Sequence, residues 1–344
     1  MSTLPFPVDL PALCDRLRAS RGFAHKRDIH AVLQRLQAHL PGGLDAMAQQ
    51  VAVGDDCAVI APPGGGGGHL LFAIEGLVDD FVAARPWFAG YSAVMVNLSD
   101  VAAMGGRPLA VVDALWSLPG DTADALLAGM AAAAQRYGVP LVGGHSNLHS
   151  PRPQLAVAVL GHAQRLITSF DARPGDTLLM AVDLRGRYEA PYPFWNASTE
   201  APPERLQADL ALLPALAEAG LCDAGKDISM AGVLGTALML LECSGVGADL
   251  DLSALPRPAE VVDQASLQQW LQAFPSFGFV LSVRAAQVAA VQARFHARGL
   301  ACAAIGQVHP RPTVTLRHGA RTQPLWDLRE QPFITAGPAE AVHA

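Results

Sequence analysis

Cysteine is scarce in this chain and poorly arranged for cross-linking. The five residues, Cys14, Cys57, Cys222, Cys243 and Cys302, are odd in number and form no C-x-x-C pair, which argues against a disulfide framework or a structural zinc site. They read as buried thiols of a reducing compartment. No stretch reaches the ~18 uninterrupted apolar residues of a membrane span, and the opening MSTLPFPVDL has neither the basic nor the apolar region of a secretory signal. The expectation is a cytoplasmic protein without a membrane partner. Basic stripes are missing as well: 24 Lys and Arg stand against 31 Asp and Glu, for a net charge of −7. With no footprint for a phosphate backbone, nucleic acid is not an expected partner. The glycine run at 64–68 lacks a following Lys-Ser/Thr, so it reads as a connector and not as a phosphate loop.

What is present is enough chain for two cores. At 344 residues the length favours two domains, and the composition restarts at DARPGDTLLMAVDL, placing a boundary near residue 165. Residues 1–165 begin helix-like. They then run through strand (VAVGDDCAVIAPP), strand (HLLFAIEGL), helix (around 91–104), strand (RPLAVVDALW), an Ala-rich helix capped by Asp121 and closed by Gly138, and two more strands (VPLVGGHSN, QLAVAVLGHA). That order predicts a mixed sheet with helices. Residues 166–344 alternate strand and helix as an α/β sandwich, interrupted by GRYEAPYPFWNASTEAPPERL, whose prolines and aromatics predict an irregular loop covering a site. The fold class is therefore α+β.

The chemistry lies among the acids of the first half. In VNLSDVAAMGG the residues are apolar enough for a buried helix, yet Asn97 and Asp100, three apart, project from one face of it. A buried carboxylate requires a cation or dense hydrogen bonding, so Asp100 either caps the helix or offers an acid to a ligand. Asp55 and Asp56 stand at a strand start and Glu75 at the end of the next strand. Oxygen ligands from separate elements suit Mg²⁺ completed by substrate phosphates, although turn, edge and cap roles account for each acid singly.

VGDDCAVI, an acid on the following strand, NLSDVAAMGGRP and PLVGG, in this order and spacing, resemble a family of ATP-dependent enzymes. It contains aminoimidazole ribonucleotide (AIR) synthetase and thiamine-monophosphate kinase, together with selenophosphate synthetase, the formylglycinamide ribonucleotide amidotransferase and a hydrogenase-maturation protein. The likeness continues through RPGDTLLMAVDLRGR, KDISMAGVLGTALMLLECSGVGADLDLSALPRP and CAAIGQV, covering nearly the whole chain. It implies an AIR synthetase-like fold of two domains, with ATP bound without a Walker lysine. Mg²⁺ would be held by Asp56, Glu75 and Asp100, and the nucleotide side would include Asp55, Asn97, Gly143 and Gly144. A mobile N-terminal segment closes over the triphosphate in related enzymes, which makes Lys26 and Arg27 candidates for that contact; read alone, they form a solvated basic patch. Homodimers joined through N-terminal strands are also implied.

The departures from the pattern bear on the reaction. Where the kinases read G-G-D-T, this chain has Gly143-Gly144-His145-Ser146. His145 is open to three readings: ligand of a softer divalent ion, general acid or base, or loop scaffold. His149, four residues on, is chance proximity. The kinase D-x-S-D-G-L becomes Asp227-Ile228-Ser229-Met230-Ala231-Gly232, which keeps Asp227 as a catalytic candidate but loses the second acid. The kinase's G-G-E-D-Y is replaced by PSFGFVLSV. Arg85, Trp87 and Trp195 are expected at the substrate mouth. The resulting expectation is an enzyme that phosphorylates an amide or carbonyl oxygen of a small metabolite and releases ADP and phosphate. The rivals are a small-molecule kinase of the thiamine-monophosphate type and a non-catalytic nucleotide-binding subunit.

Overall fold

The computed structural model describes residues 4–40 and 51–335. Two helices open it, α1 (Leu10–Arg18) and α2 (Arg21–His39), followed by β1 (Ala58–Ile60), β2 (His69–Gly76), α3 (Asp79–Ala84), α4 (Pro86–Ala103), β3 (Arg107–Trp116), α5 (Asp121–Tyr137), β4 (Leu141–Asn147) and β5 (Gln154–Ala163). The chain continues through β6 (Thr177–Val182), β7 (Arg187–Tyr188), β8 (Phe194–Asn196), α6 (Pro203–Leu210), α7 (Leu212–Glu218), β9 (Ala224–Asp227), α8 (Gly232–Cys243) and β10 (Gly247–Asp251). It ends with α9 (Gln264–Leu271), β11 (Phe274–Pro275), β12 (Gly278–Val283), α10 (Val288–His296), β13 (Ala301–His309), β14 (Thr313–His318) and β15 (Arg321–Asp327). The helix-like reading of residues 1–50 meets α1 and α2, and its last ten residues lie outside the described ones.

Two bodies share this chain. One takes residues 56–166 and 197–219; the other takes the residues up to Asp55, 167–196, and those from Gly220 on. One change of body falls at Leu166/Ile167. The N-terminal helices, however, pack within the body of the second half, and α6 and α7 within that of the first.

The 56–166 body is a five-stranded sheet in the order β1-β2-β5-β3-β4, antiparallel except for β3 with β4. Alternation sends Leu71, Val111, Leu115 and Val157 towards the helices, all buried. Phe72, Ile74, Val112 and Leu160, on the other face, are exposed. Helices α4 and α5 approach each other through glycines. A Cβ on Gly90 would stand 3.0 Å from the carbonyl carbon of Leu126, and one on Gly129 would stand 2.8 Å from the amide nitrogen of Tyr91. Side chains there would push α4 off its seat. Asp121 is the first residue of α5 and makes no side-chain cap bond, since Gly120 holds the N-cap position; Gly138 closes the helix in the left-handed region, as expected.

The other body centres on a seven-stranded mixed sheet, β15-β14-β10-β13-β6-β12-β9. Every residue of β6 and β12 is buried, Ser282 of the otherwise apolar β12 included. Phe23 anchors α2 in an edge-on aromatic trio with Trp326 and Phe333. The aromatic segment expected to be an irregular loop is instead partly ordered: β7 and β8 join β11 in a small sheet. Trp195 is 1% exposed, donates its indole N–H to Asp183 O at 2.9 Å and packs edge-on against Trp270. It belongs to the core and not to a substrate mouth, because burying an indole while satisfying its N–H outweighs leaving it at a surface.

Candidate active site

The two acids of GDD part company at once. The side chain of Asp55 is fully buried within the larger body, where its carboxylate accepts Ser169 N–H at 2.8 Å and Ser169 Oγ–H at 2.6 Å. Lys226 Nζ, almost as buried, lies 3.8 Å away. Asp55, expected on the nucleotide side, thus ties the GDD segment to β9 and to the residue after Thr168. Asp56, the next residue, stands two positions ahead of β1 in the other body.

Asp100 lies in the last turn of α4, 7% exposed, and its backbone carbonyl accepts Met104 N–H. That position removes the cap reading. A carboxylate there faces the negative end of the helix dipole, which compounds its desolvation. One turn earlier, Asn97 is fully buried; its amide donates to Ala93 O at 2.7 Å, and its Oδ1 has no hydrogen-bond partner among the described residues. Asp56 and Asp100 bring carboxylate oxygens within 4.8 Å of each other. Two carboxylates converging beside an unfilled amide oxygen, with no thiolate or imidazole in the set, are the donors a hard divalent cation takes. The set fits Mg²⁺.

The other predicted residues are placed by strand register. Glu75 pairs with Val157, Val157 with Asp113 and Asp113 with Gly144, one row across β2, β5, β3 and β4. In the next row Gly76, Ala156, Ala114 and His145 face the opposite way. Glu75 is exposed, and the close approach of carboxylates to Asp100 does not include it. His145 is exposed on the bare face, its ring 6.1 Å from that of Trp116. Gly143 and Gly144 lie on the edge strand β4, both exposed. Trp87, 40% exposed, stacks on Tyr91 at 5.5 Å, and Arg85 is the N-cap residue of α4.

In the larger body, Asp227 is buried at the end of β9, next to Lys226. Lys26 is half-buried and Arg27 exposed on α2, a docked helix whose Gly22 backs onto Met230 and Ala231. An acid that the motifs did not flag is Asp113. It is half-buried on the helix-covered face of β3, and burial raises its pKa above the ordinary 3.8. The signal was available: in RPLAVVDALW the alternation puts Asp113 in phase with Val111 and Leu115, not with the exposed Val112.

Comparison with known proteins gives the family of the chain. Residues 54–163 match the model of the AIR synthase related protein N-terminal domain, and residues 168–319 match that of its C-terminal domain. The protein sll0787 of Synechocystis sp. is 48% identical over 326 residues, covering 94% of this chain and 98% of its own. A selenide, water dikinase of Myxococcus xanthus is 31% identical over 244 residues, 65% of this chain and 67% of that one. Among solved structures, T. maritima PurL complexed with ADP superposes with a TM-score of 0.68 at 20% identity, over 82% of this chain and 46% of PurL. AaThiL complexed with AMPPCP and TMP gives 0.61 at 20% identity, over 82% and 94%. The chain spans less than half of PurL, and at these identities both structures show the fold alone. None of the described helices is long and apolar enough to cross a membrane. By both domain models and by its relatives, this chain belongs to the AIR synthase-related family, with the two-domain α+β fold of that family.

Proposed function

We propose that this protein is an ATP-dependent enzyme that activates an amide or carbonyl oxygen of a small metabolite by phosphorylation. The substrate oxygen attacks the γ-phosphorus, ADP departs, and phosphate is then displaced by a nitrogen nucleophile or lost on dehydration. The observation that carries the reading is the convergence of Asp56 and Asp100 within 4.8 Å, with Asn97 Oδ1 unsatisfied one helical turn away. A bound Mg²⁺ would offset the negative charge of the triphosphate and of the oxygen bridging to ADP. Asp56, Asp100 and Asn97 would hold it, with no ligand role for Asp55. The related structures bound to ADP and AMPPCP support nucleotide binding by this fold. Asp227 and His145 take the catalytic roles implied by the family pattern, and Lys26 and Arg27 are proposed to meet the triphosphate.

A kinase that keeps the phosphoryl group on its product is the second reading, favoured by the relatives named selenide, water dikinase and thiamine-monophosphate kinase. One experiment separates the two. Carboxamides and phosphorylated metabolites are screened for stimulated ADP release, with free phosphate measured in parallel. Equal ADP and phosphate support activation with release; ADP without phosphate supports the kinase. ADP release that no substrate stimulates refutes both.

The subunit arrangement we propose is a homodimer through the bare face of the five-stranded sheet. Phe72, Ile74, Val112 and Leu160 leave a continuous apolar surface there, exposed by 39–65%, of the kind that a second copy covers.

A further inference from the structure

Asp113 is a carboxylate that the fold places but does not use. Among the described residues it makes no ion pair, and no side chain donates to it; its own backbone amide is the group that opposes the upward shift of its pKa. It lies on the side of the sheet that packs against α4 and α5, in phase with Val111 and Leu115. An unpartnered aspartate in that setting is replaced at little structural cost by an apolar residue, unless something outside the chain meets it.

The neighbouring strand keeps that space open. Gly144 pairs with Asp113, and a Cβ on Gly144 would overlap Asp113 Oδ1, standing 2.6 Å from Asp113 O and 2.7 Å from its Cγ. The carboxylate therefore leans over bare backbone on β4, an edge strand whose residues 142–146 are exposed. Two strands away in the same row, Glu75 is also exposed, about 10 Å off at ordinary strand spacing. This end of the sheet offers acceptors, and the row contains no cation.

We propose that Asp113, seated over Gly144, is a specificity determinant that accepts a hydrogen bond from an N–H or O–H donor of the substrate. The substrate would present a neutral or cationic group at this point, a carboxamide or an amine, and a carboxylate would be repelled. This assignment rests on the proposed activation of an amide or carbonyl oxygen, since the donor that Asp113 would meet belongs to that same substrate.

Small probes test it without knowledge of the natural substrate. Protein labelled with ¹³C at its aspartate carboxyls is titrated with acetamide, methylammonium and acetate. The Asp113 resonance is identified by its loss in Asp113→Asn, or in Asp113→Glu if the first variant fails to fold. Acetamide and methylammonium should shift that resonance saturably, and acetate should leave it in place. In Gly144→Ala, the response to acetamide should disappear because the carboxylate is displaced. A shift by acetate equal to that by acetamide, or no shift by any of the three, overturns the assignment. Calorimetry of Mg²⁺-dependent ATP binding on the unlabelled protein judges the activation reading separately. A probe response without ATP binding would keep Asp113 as a recognition group and refute the reading beneath it.

Discussion

Substituting Asp55 tests whether neighbouring acids of one motif have divided into scaffold and site. The Asp55 side chain is 0% exposed and that of Lys226 6%, with Ser169 N–H and Oγ–H both directed at the carboxylate. Asp55→Ala would take a buried carboxylate from beside a buried ammonium and remove the acceptor that two Ser169 donors share. Breaking a buried pair from one side costs about 3–5 kcal/mol, and Asp55→Ala should lose that much in urea unfolding of the nucleotide-free protein. Asp55→Asn keeps an acceptor for one Ser169 donor while losing the charge, so it should cost less. Combining Asp55→Asn with Lys226→Met removes both charges and should recover a large part of the loss, giving a favourable coupling in the double-mutant cycle. A cost below about 1 kcal/mol for Asp55→Ala, the range of an exposed pair, together with loss of ATP binding, would refute the scaffold role of Asp55.

Asp56→Asn and Asp100→Asn should do the reverse, keeping the apo fold and losing Mg²⁺-dependent ATP binding in calorimetry; unchanged affinity in both would remove them from the metal site. Phe72→Lys with Ile74→Lys should yield a monomer in light scattering, whereas a wild-type protein already monomeric at micromolar concentration would contradict the dimer. Asp113 binds its proton more tightly folded than unfolded, so its contribution favours the fold below the unfolded value of 3.8 and is lost as pH rises through the higher folded value. Asp113→Asn should therefore stabilise the protein at pH 7 and leave it nearly unchanged near pH 3, as read by thermal melts; equal effects at both pH values would deny the shift. His145→Ala should retain ATP affinity and lose substrate-stimulated ADP release; if turnover is untouched, the residue is scaffold.

The fold was legible wherever a single physical signal dominated. RPLAVVDALW fixes β3 to the residue because alternation and flanking glycine and proline agree, and β6 follows from the apolar run LLMAV of strand length. The segment 186–206 misled because its prolines and aromatics carry no period. Its order comes from long-range pairing, Phe194 with Phe274 and Trp195 with Pro275, which no local pattern encodes. The same limit explains α2. The family resemblance implied a mobile N-terminal segment there, while Phe23 is held by Trp326 and Phe333, some 300 residues away in the chain.

The candidate site was legible to the extent that its chemistry is local. Asn97 and Asp100 announce themselves by being polar at i and i+3 of an apolar helix, and the structure adds why that is costly: Asp100 sits at the negative end of α4. Asp55 and Asp56 cannot be told apart in sequence, since what separates them is Ser169 and Lys226 on one side and Asp100 on the other. His145, which stands where the family pattern has an acid, is turned by strand alternation to the bare face. The acid on the helix-covered face is one strand over, at Asp113, made accessible by the glycine opposite. A motif read along one strand finds substitutions at a position; the chemistry of a sheet is set by rows across strands, and only register shows which acid shares a row with which glycine.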